Sequence, residues 1–250
     1  MRTVVLRICA VSMLLAVSAA QAADLIVSAA VSLSNAFNEI RKDYEKANPG
    51  TRVLFNFGAS GQLLQQISRG APADVFASAD QDTMDRAMKQ SLVVTDTRTN
   101  FVSNKLVVVL PAGSSIRLQS LSDLASPEIK RIGIGTPESV PAGRYAKEAL
   151  ELGGQWDKLK DKYIYAQNVR QVLDYVERGE VDAGFVYATD AAVLKDRVQV
   201  AFEAQLKKPV LYPIAAVRGS GSENLARSFI AFVSSNAGRK ALDKTGFGKP

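Results

Sequence analysis

Histidine is absent from this 250-residue sequence, and its only cysteine is Cys9, close to the N-terminus. Without histidine no Ser-His-Asp triad can form, and the commonest general base and transition-metal ligand are both missing. One cysteine cannot make an intrachain disulfide. There is no Lys/Arg block and no ladder of basic and aromatic residues, which argues against nucleic acid as a partner. No apolar run approaches the roughly 20 residues that a membrane-spanning helix needs. The acids are scattered. Ala73-Asp74, Ser78-Ala79-Asp80 and Asp190 read as a strand start and helix caps. Their spacing matches neither a calcium loop nor an acid/base pair.

The N-terminus carries a leader pattern. Arg2 and Arg7 form a basic region, Ile8 to Val17 an apolar one, and Ser18-Ala-Ala-Gln-Ala22 ends in an A-x-A pattern. This predicts a secretory signal peptide over residues 1–22, cleaved after Ala22. Cys9 lies early in the apolar stretch rather than at its end, which argues against lipoprotein processing. The leader holds two arginines and no acid, so its removal lowers the net charge from +6 to +4. An apolar content of 47% suffices for one large or two small domains.

Beyond the leader, strand and helix patterns alternate. Leu25–Ala29, Thr51–Phe57 and Asp74–Ala77 read as strands, and Asn35–Asn48, Gln62–Ser68 and Gln81–Lys89 as helices. Phe37, Ile40, Tyr44 and Ala47 recur at helical spacing, and Pro49-Gly50 ends that helix. A second set has strands at Lys105–Leu110, Ile132–Ile134, Tyr163–Ala166, Ala183–Val186 and Val198–Phe202, with helices over Ala142–Leu152 and Val169–Arg178. Val210–Val217 and Glu223–Val233 add a last strand and helix. The order predicts α/β units with mainly parallel sheets, whose ligand crevice lies at the carboxyl ends of the strands. Two lobes would be joined by strand-like crossings, for which Phe101–Lys105 and Lys208–Pro213 are the candidates.

Two strand-to-helix junctions are uncharged and contain serines. One runs from Leu25 to Ala36 through Ser32; the other is Val53-Leu-Phe-Asn-Phe-Gly58-Ala-Ser60-Gly61. A helix start leaves its first amides unpaired and partly positive, and a serine adds a hydroxyl donor, so two such ends suit an anion. Each serine can equally be a helix cap; Ser34 and Asn35 compete with Ser32 for that role. Gly58-Ala-Ser60-Gly61 resembles half of a nucleophile elbow, with the second glycine one place early. Val140-Pro141-Ala142-Gly143 opens another helix; taken alone it reads as plain helix initiation by proline, and any ligand contact there would come from the Ala142 amide. Val169 opens a helix after Asn168 and offers only its amide. Tyr187 ends a strand, where it is either a half-buried tyrosine or a ligand contact.

Taken together, the segments resemble the periplasmic molybdate-binding proteins of ABC transporters. The resemblance covers the chain beyond the leader. It rests on Ala29-Ala-Val-Ser32-Leu-Ser-Asn-Ala36, Phe57-Gly-Ala-Ser60, Gly70-Ala-Pro-Ala-Asp-Val-Phe-Ala-Ser-Ala-Asp80, Asn104-Lys-Leu-Val-Val-Val109, Val140-Pro-Ala-Gly-Arg-Tyr-Ala-Lys-Glu-Ala-Leu150, Asn168-Val-Arg170 and Gly184-Phe-Val-Tyr187. It implies an α/β, two-lobed type II periplasmic binding fold, with residues 23–102 and 213–250 in one lobe and 103–212 in the other. It also implies a periplasmic, monomeric, non-enzymatic receptor without a cofactor, which passes molybdate or tungstate to an inner-membrane permease. The implied oxyanion donors are the hydroxyls and amides of Ser32 and Ser60, the amides of Ala142 and Val169, and the Tyr187 hydroxyl. Val31, where many relatives have alanine, and Gly58-Ala59, where some have Ala-Ser, depart from the pattern beside the serines.

These residue types suit a fully deprotonated ion. Molybdate at neutral pH only accepts hydrogen bonds, whereas phosphate keeps a proton and needs an acceptor. The alternatives are a sulfate or thiosulfate receptor of the same fold, a secreted serine hydrolase using Ser60 with a lysine, and a transition-metal receptor. The missing histidine weighs against the last two.

Overall fold

The computed structural model describes residues 23–250; the leader predicted over 1–22 lies outside the described residues. In chain order the elements are β1 (Ala23–Ala30), α1 (Ser34–Ala47), β2 (Thr51–Gly58), α2 (Ser60–Ser68), β3 (Val75–Ala77), α3 (Gln81–Lys89), β4 (Thr99–Asn104), β5 (Leu106–Pro111) and β6 (Ile132–Gly135). They continue as α4 (Pro141–Leu152), β7 (Tyr163–Ala166), α5 (Val169–Glu177), β8 (Ala183–Tyr187), α6 (Ala188–Val193), β9 (Val198–Glu203), β10 (Val210–Ala216), α7 (Glu223–Ser234) and α8 (Asn236–Lys244).

The strands form two five-stranded sheets, ordered β2-β1-β3-β10-β4 and β7-β6-β8-β5-β9. Each heads one lobe. β1 runs parallel to β2 and β3, and β6 parallel to β7 and β8, as right-handed strand–helix–strand units require. The sheets are nevertheless mixed rather than mainly parallel. β10 is antiparallel to β3 and β4, and β5 is antiparallel to β8 and β9. These are the strands through which the chain passes between lobes, so they enter each sheet against its βαβ units. The chain leaves the first sheet after Asn104 and joins the second at Leu106; it returns between Glu203 and Val210. Pro213 falls inside β10, where it lacks an amide to donate. A register shift between Tyr212 and Pro213 accommodates it.

Helices cover the sheets with the faces that the apolar spacing marks. Phe37, Ile40 and Tyr44 of α1 are fully buried, whereas Ala47, which the spacing adds to that face, lies exposed in the last turn. Tyr44 packs edge-on against Phe229 of α7 at 5.2 Å between ring centroids. Helix α8 has no counterpart in the sequence reading. It is short, with Gly238 in its first turn, and its stability comes from packing on α1 and α7 rather than from propensity. In the second lobe α4 starts directly on the end of β6: a Cβ added to Gly143 would lie 1.9 Å from the Gly135 carbonyl oxygen. Only glycine permits that contact, and it places the first turn of α4 at the carboxyl end of the sheet.

Candidate functional site

Ser32, Ser60, Ala142, Val169 and Tyr187 line one small cavity between the two lobes. The rest of the wall is Ala30, Val31, Gly58, Ala59, Ala79, Val140 and Pro141, so no lining residue carries a formal charge. The room that it leaves for a water-sized sphere is about 10 Å³, on the order of one bound water and far below the ~300–1,000 Å³ of pockets for drug-sized ligands. Only a compact species gripped directly by these walls suits it.

Ser60 is the first residue of α2, and its side chain makes no capping bond. Its Oγ instead accepts the Ala79 amide hydrogen at 3.0 Å. A hydroxyl has one hydrogen to give, and with its oxygen engaged by a backbone donor that hydrogen is left for the cavity. Ser32 stands in a 3-10 turn, Val31–Leu33, between β1 and α1. No side chain caps α1, so the surplus of candidate caps at Ser32, Ser34 and Asn35 does not serve that helix. The Ser32 Oγ lies 3.1 Å from the Tyr212 phenol oxygen.

The second lobe supplies backbone donors. Ala142 and Val169 occupy the second and first positions of α4 and α5, where an amide has no carbonyl of its own helix to bind. The Asn168 side chain caps α5 through the Gln171 amide at 3.0 Å and leaves the Val169 amide alone. Tyr187 ends β8 and is 1% exposed. Its hydroxyl donates to the Ala79 carbonyl over 3.4 Å, a long and weak bond.

Burial holds the phenols of Tyr187 and Tyr212 well above their ordinary pKa of 10.0. Both remain hydrogen-bond donors at any physiological pH. The folded state thus keeps these protons longer than the unfolded chain does. The associated stability is complete below the ordinary tyrosine pKa and is lost as pH rises toward the folded values, at about 1.4 kcal/mol per pH unit for each group. Urea midpoints should therefore fall between about pH 10 and 11.5, and Tyr187→Phe should reduce that slope. A midpoint independent of pH over this range would contradict the assignment.

The charges nearest the site are paired. Arg144 of α4 donates to Asp80 at 2.8 Å and to Thr83 Oγ1 at 2.7 Å across the cleft. Arg170 of α5 binds Asp190 at 2.5 Å and reaches Asn35 of α1 at 3.0 Å. Asp190 lies within α6, fully buried, so it does not cap that helix as its position suggests. Burial raises its carboxyl pKa against the opposing pull of Arg170. Its Oδ2 has no partner among the described residues. Asp80 does cap α3, through the Thr83 amide.

The lobes meet around the cavity. Besides the arginine contacts, the Gly61 amide of α2 donates to the Ser139 carbonyl ahead of α4 at 3.0 Å. A Cβ on Gly61 would lie 2.7 Å from that oxygen. Sequence reading passed over Gly61, Arg144 and Arg170 as functional residues. The two arginines stand one or two places after the cavity-facing residues Val169 and Ala142, the one local signal available for them. No lysine or carboxylate lines the cavity beside Ser60, so nothing there is placed to act as its base.

Similarity to known proteins agrees with this arrangement. A Bacillus subtilis protein provisionally named as the ABC transporter substrate-binding lipoprotein YvgL is 42% identical over 89% of this chain and 85% of its own. The molybdate-binding protein ModA of Haemophilus influenzae is 38% identical over 92% of each chain. Among solved structures, the periplasmic molybdate-binding protein of Azotobacter vinelandii superposes with a TM-score of 0.77 at 22% identity, covering 90% of this chain and 99% of that one. Its two-lobed periplasmic binding fold is the fold found here. The model of the bacterial extracellular solute-binding proteins matches residues 25–248, and this chain belongs to that family.

Proposed function

We propose that this protein is a periplasmic receptor that binds molybdate, and tungstate of nearly equal size, between its lobes and delivers it to an inner-membrane ABC permease. The observation that carries the reading is the uncharged interlobe cavity on which Ser32, Ser60, Ala142, Val169 and Tyr187 converge. The ModA relatives, named for molybdate, support the choice of ion. The protein acts as an exported monomer, without cofactor or catalysis. The lobes are hinged where the chain crosses; β4 to Asn104 and β10 from Val210 belong to the first sheet, so the expected bounds at 102/103 and 212/213 move by two and three residues.

Neutral donors suffice for a dianion in a dry cleft. The serine hydroxyls and amides, the two second-lobe amides and the Tyr187 hydroxyl, which gives up its long bond to the Ala79 carbonyl, make seven bonds of roughly 1.5–3 kcal/mol each to a charged acceptor. Their gross sum of about 10–20 kcal/mol must cover dehydration of the ion and closure, against the roughly 8–12 kcal/mol that micromolar to nanomolar binding requires. Converging helix starts add favourable potential. Sulfate has the same charge but is smaller, so a cavity spaced for molybdate under-coordinates it. Closure also shapes the surface by which a permease distinguishes loaded from empty receptor.

A thermal-shift panel of oxyanions tests the proposal. Molybdate and tungstate should raise the melting temperature far more than sulfate, thiosulfate or phosphate. If sulfate outranked molybdate, the receptor would be of the sulfate type.

A further inference from the structure

We infer that Tyr212, oriented by Asn104, donates to Ser32 Oγ and so keeps the Ser32 hydroxyl hydrogen free for an anion in the cavity. The inference rests on the oxyanion-receptor reading above and concerns two residues that do not line the cavity.

The direction of each hydrogen follows from a group that can only donate. The backbone amide of Lys105 donates to Asn104 Oδ1 at 2.9 Å. The oxygen of that side-chain amide is thereby fixed, and its nitrogen faces the other way. That nitrogen donates to Thr189 Oγ1 at 2.8 Å and to the Tyr212 phenol oxygen at 3.3 Å. The Tyr212 oxygen therefore accepts from Asn104, and its own hydrogen points to its remaining neighbour, Ser32 Oγ, at 3.1 Å. Tyr212 is fully buried and Ser32 is 3% exposed, so solvent offers the phenol no competing acceptor. Ser32 then accepts from Tyr212 and keeps its one hydrogen for a ligand.

Ser60 is set the same way by a shorter path, from the Ala79 amide alone. Both serines thus trace back to a backbone N–H, which cannot reverse its polarity. Each serine oxygen so engaged keeps its hydrogen for a ligand, whereas a Ser32 that donated to Tyr212 would have none to give. Asn104 is also the last residue of β4, before the crossing into the second sheet, and its bond to Thr189 joins the relay to α6.

Two measurements decide the matter. Neutron diffraction of the deuterated, ligand-free protein should place the Tyr212 deuterium on the line to Ser32 Oγ; a deuterium running from Ser32 to Tyr212 overturns the inference whatever the ligand is. Calorimetry on wild type, Tyr212→Phe, Ser32→Ala and the double variant, each checked for an unchanged melting temperature without ligand, reads the consequence. Tyr212→Phe should weaken molybdate about tenfold. In the Ser32→Ala background it should have no further effect. An equal effect in both backgrounds means that Tyr212 only supports packing, and the inference fails. Wild-type protein that ignores molybdate overturns the proposed function instead, while the neutron result still judges the relay.

Discussion

Gly61→Ala should lower molybdate affinity by at least a hundredfold while leaving the ligand-free protein as stable as wild type. Gly61 is the second residue of α2, immediately after Ser60, and its backbone meets the backbone of the second lobe directly. The added Cβ would stand 2.7 Å from the Ser139 carbonyl oxygen and 2.8 Å from the Ser139 Cα. Both are backbone atoms, so no side chain can swing aside. The lobes must stay apart, and the Gly61–Ser139 hydrogen bond is lost as well. Water then enters the cleft, where it weakens every bond between a neutral donor and the anion. Ser139 also lies three residues before Ala142, so any shift of its backbone moves an amide donor. Within α2 itself, alanine is favoured over glycine by up to about 1 kcal/mol, which is why the open form should not suffer. Calorimetry with molybdate and a ligand-free melting curve separate the two effects. Wild-type affinity in this variant would mean that closure does not run through the Gly61–Ser139 contact.

Ser60→Ala should weaken molybdate binding by one to two orders of magnitude. Two losses combine. The charge-assisted bond from the Ser60 hydroxyl disappears, worth roughly 1.5–3 kcal/mol. The Ala79 amide, which the Ser60 oxygen satisfies at 3.0 Å, is left buried without a partner. That second loss is present with or without ligand, so it lowers the melting temperature of the empty protein and subtracts little from affinity. The first falls on the complex alone, and at about 1.4 kcal/mol per decade it accounts for the expected change. Titration calorimetry on both proteins gives the affinity ratio. An unchanged ratio, with a lowered melting temperature, would make Ser60 a structural acceptor for Ala79 and nothing more.

Much of the fold was legible because burial imposes short periods on the chain. The spacing of Phe37, Ile40 and Tyr44 marks the face of α1 that the structure buries. The run Leu106–Leu110 is buried along its whole length as a central strand. Legibility failed where the determining contact is distant. Helix α8 forms against α1 and α7, and no local period announces it. The antiparallel β5 and β10 follow from the route between lobes, which alternation of strand and helix does not encode.

The candidate site divides along the same line. Local sequence marked Ser32 and Ser60 as candidate donors, because strand ends and helix starts are local events with local donor chemistry, while Ala142, Val169 and Tyr187 stood out only through the resemblance to molybdate-binding proteins. Composition was enough to exclude histidine and thiol chemistry outright beyond the leader. Only the tertiary structure decided that these five residues wall one cavity, that Arg144 and Arg170 are neutralised by Asp80 and Asp190, and that Tyr212 lies against Ser32 from 180 positions away. A hydroxyl's residue type says that it can donate or accept. Which of the two it does is set by the hydrogens already aimed at its oxygen, and those come from chain segments that meet only when the protein folds.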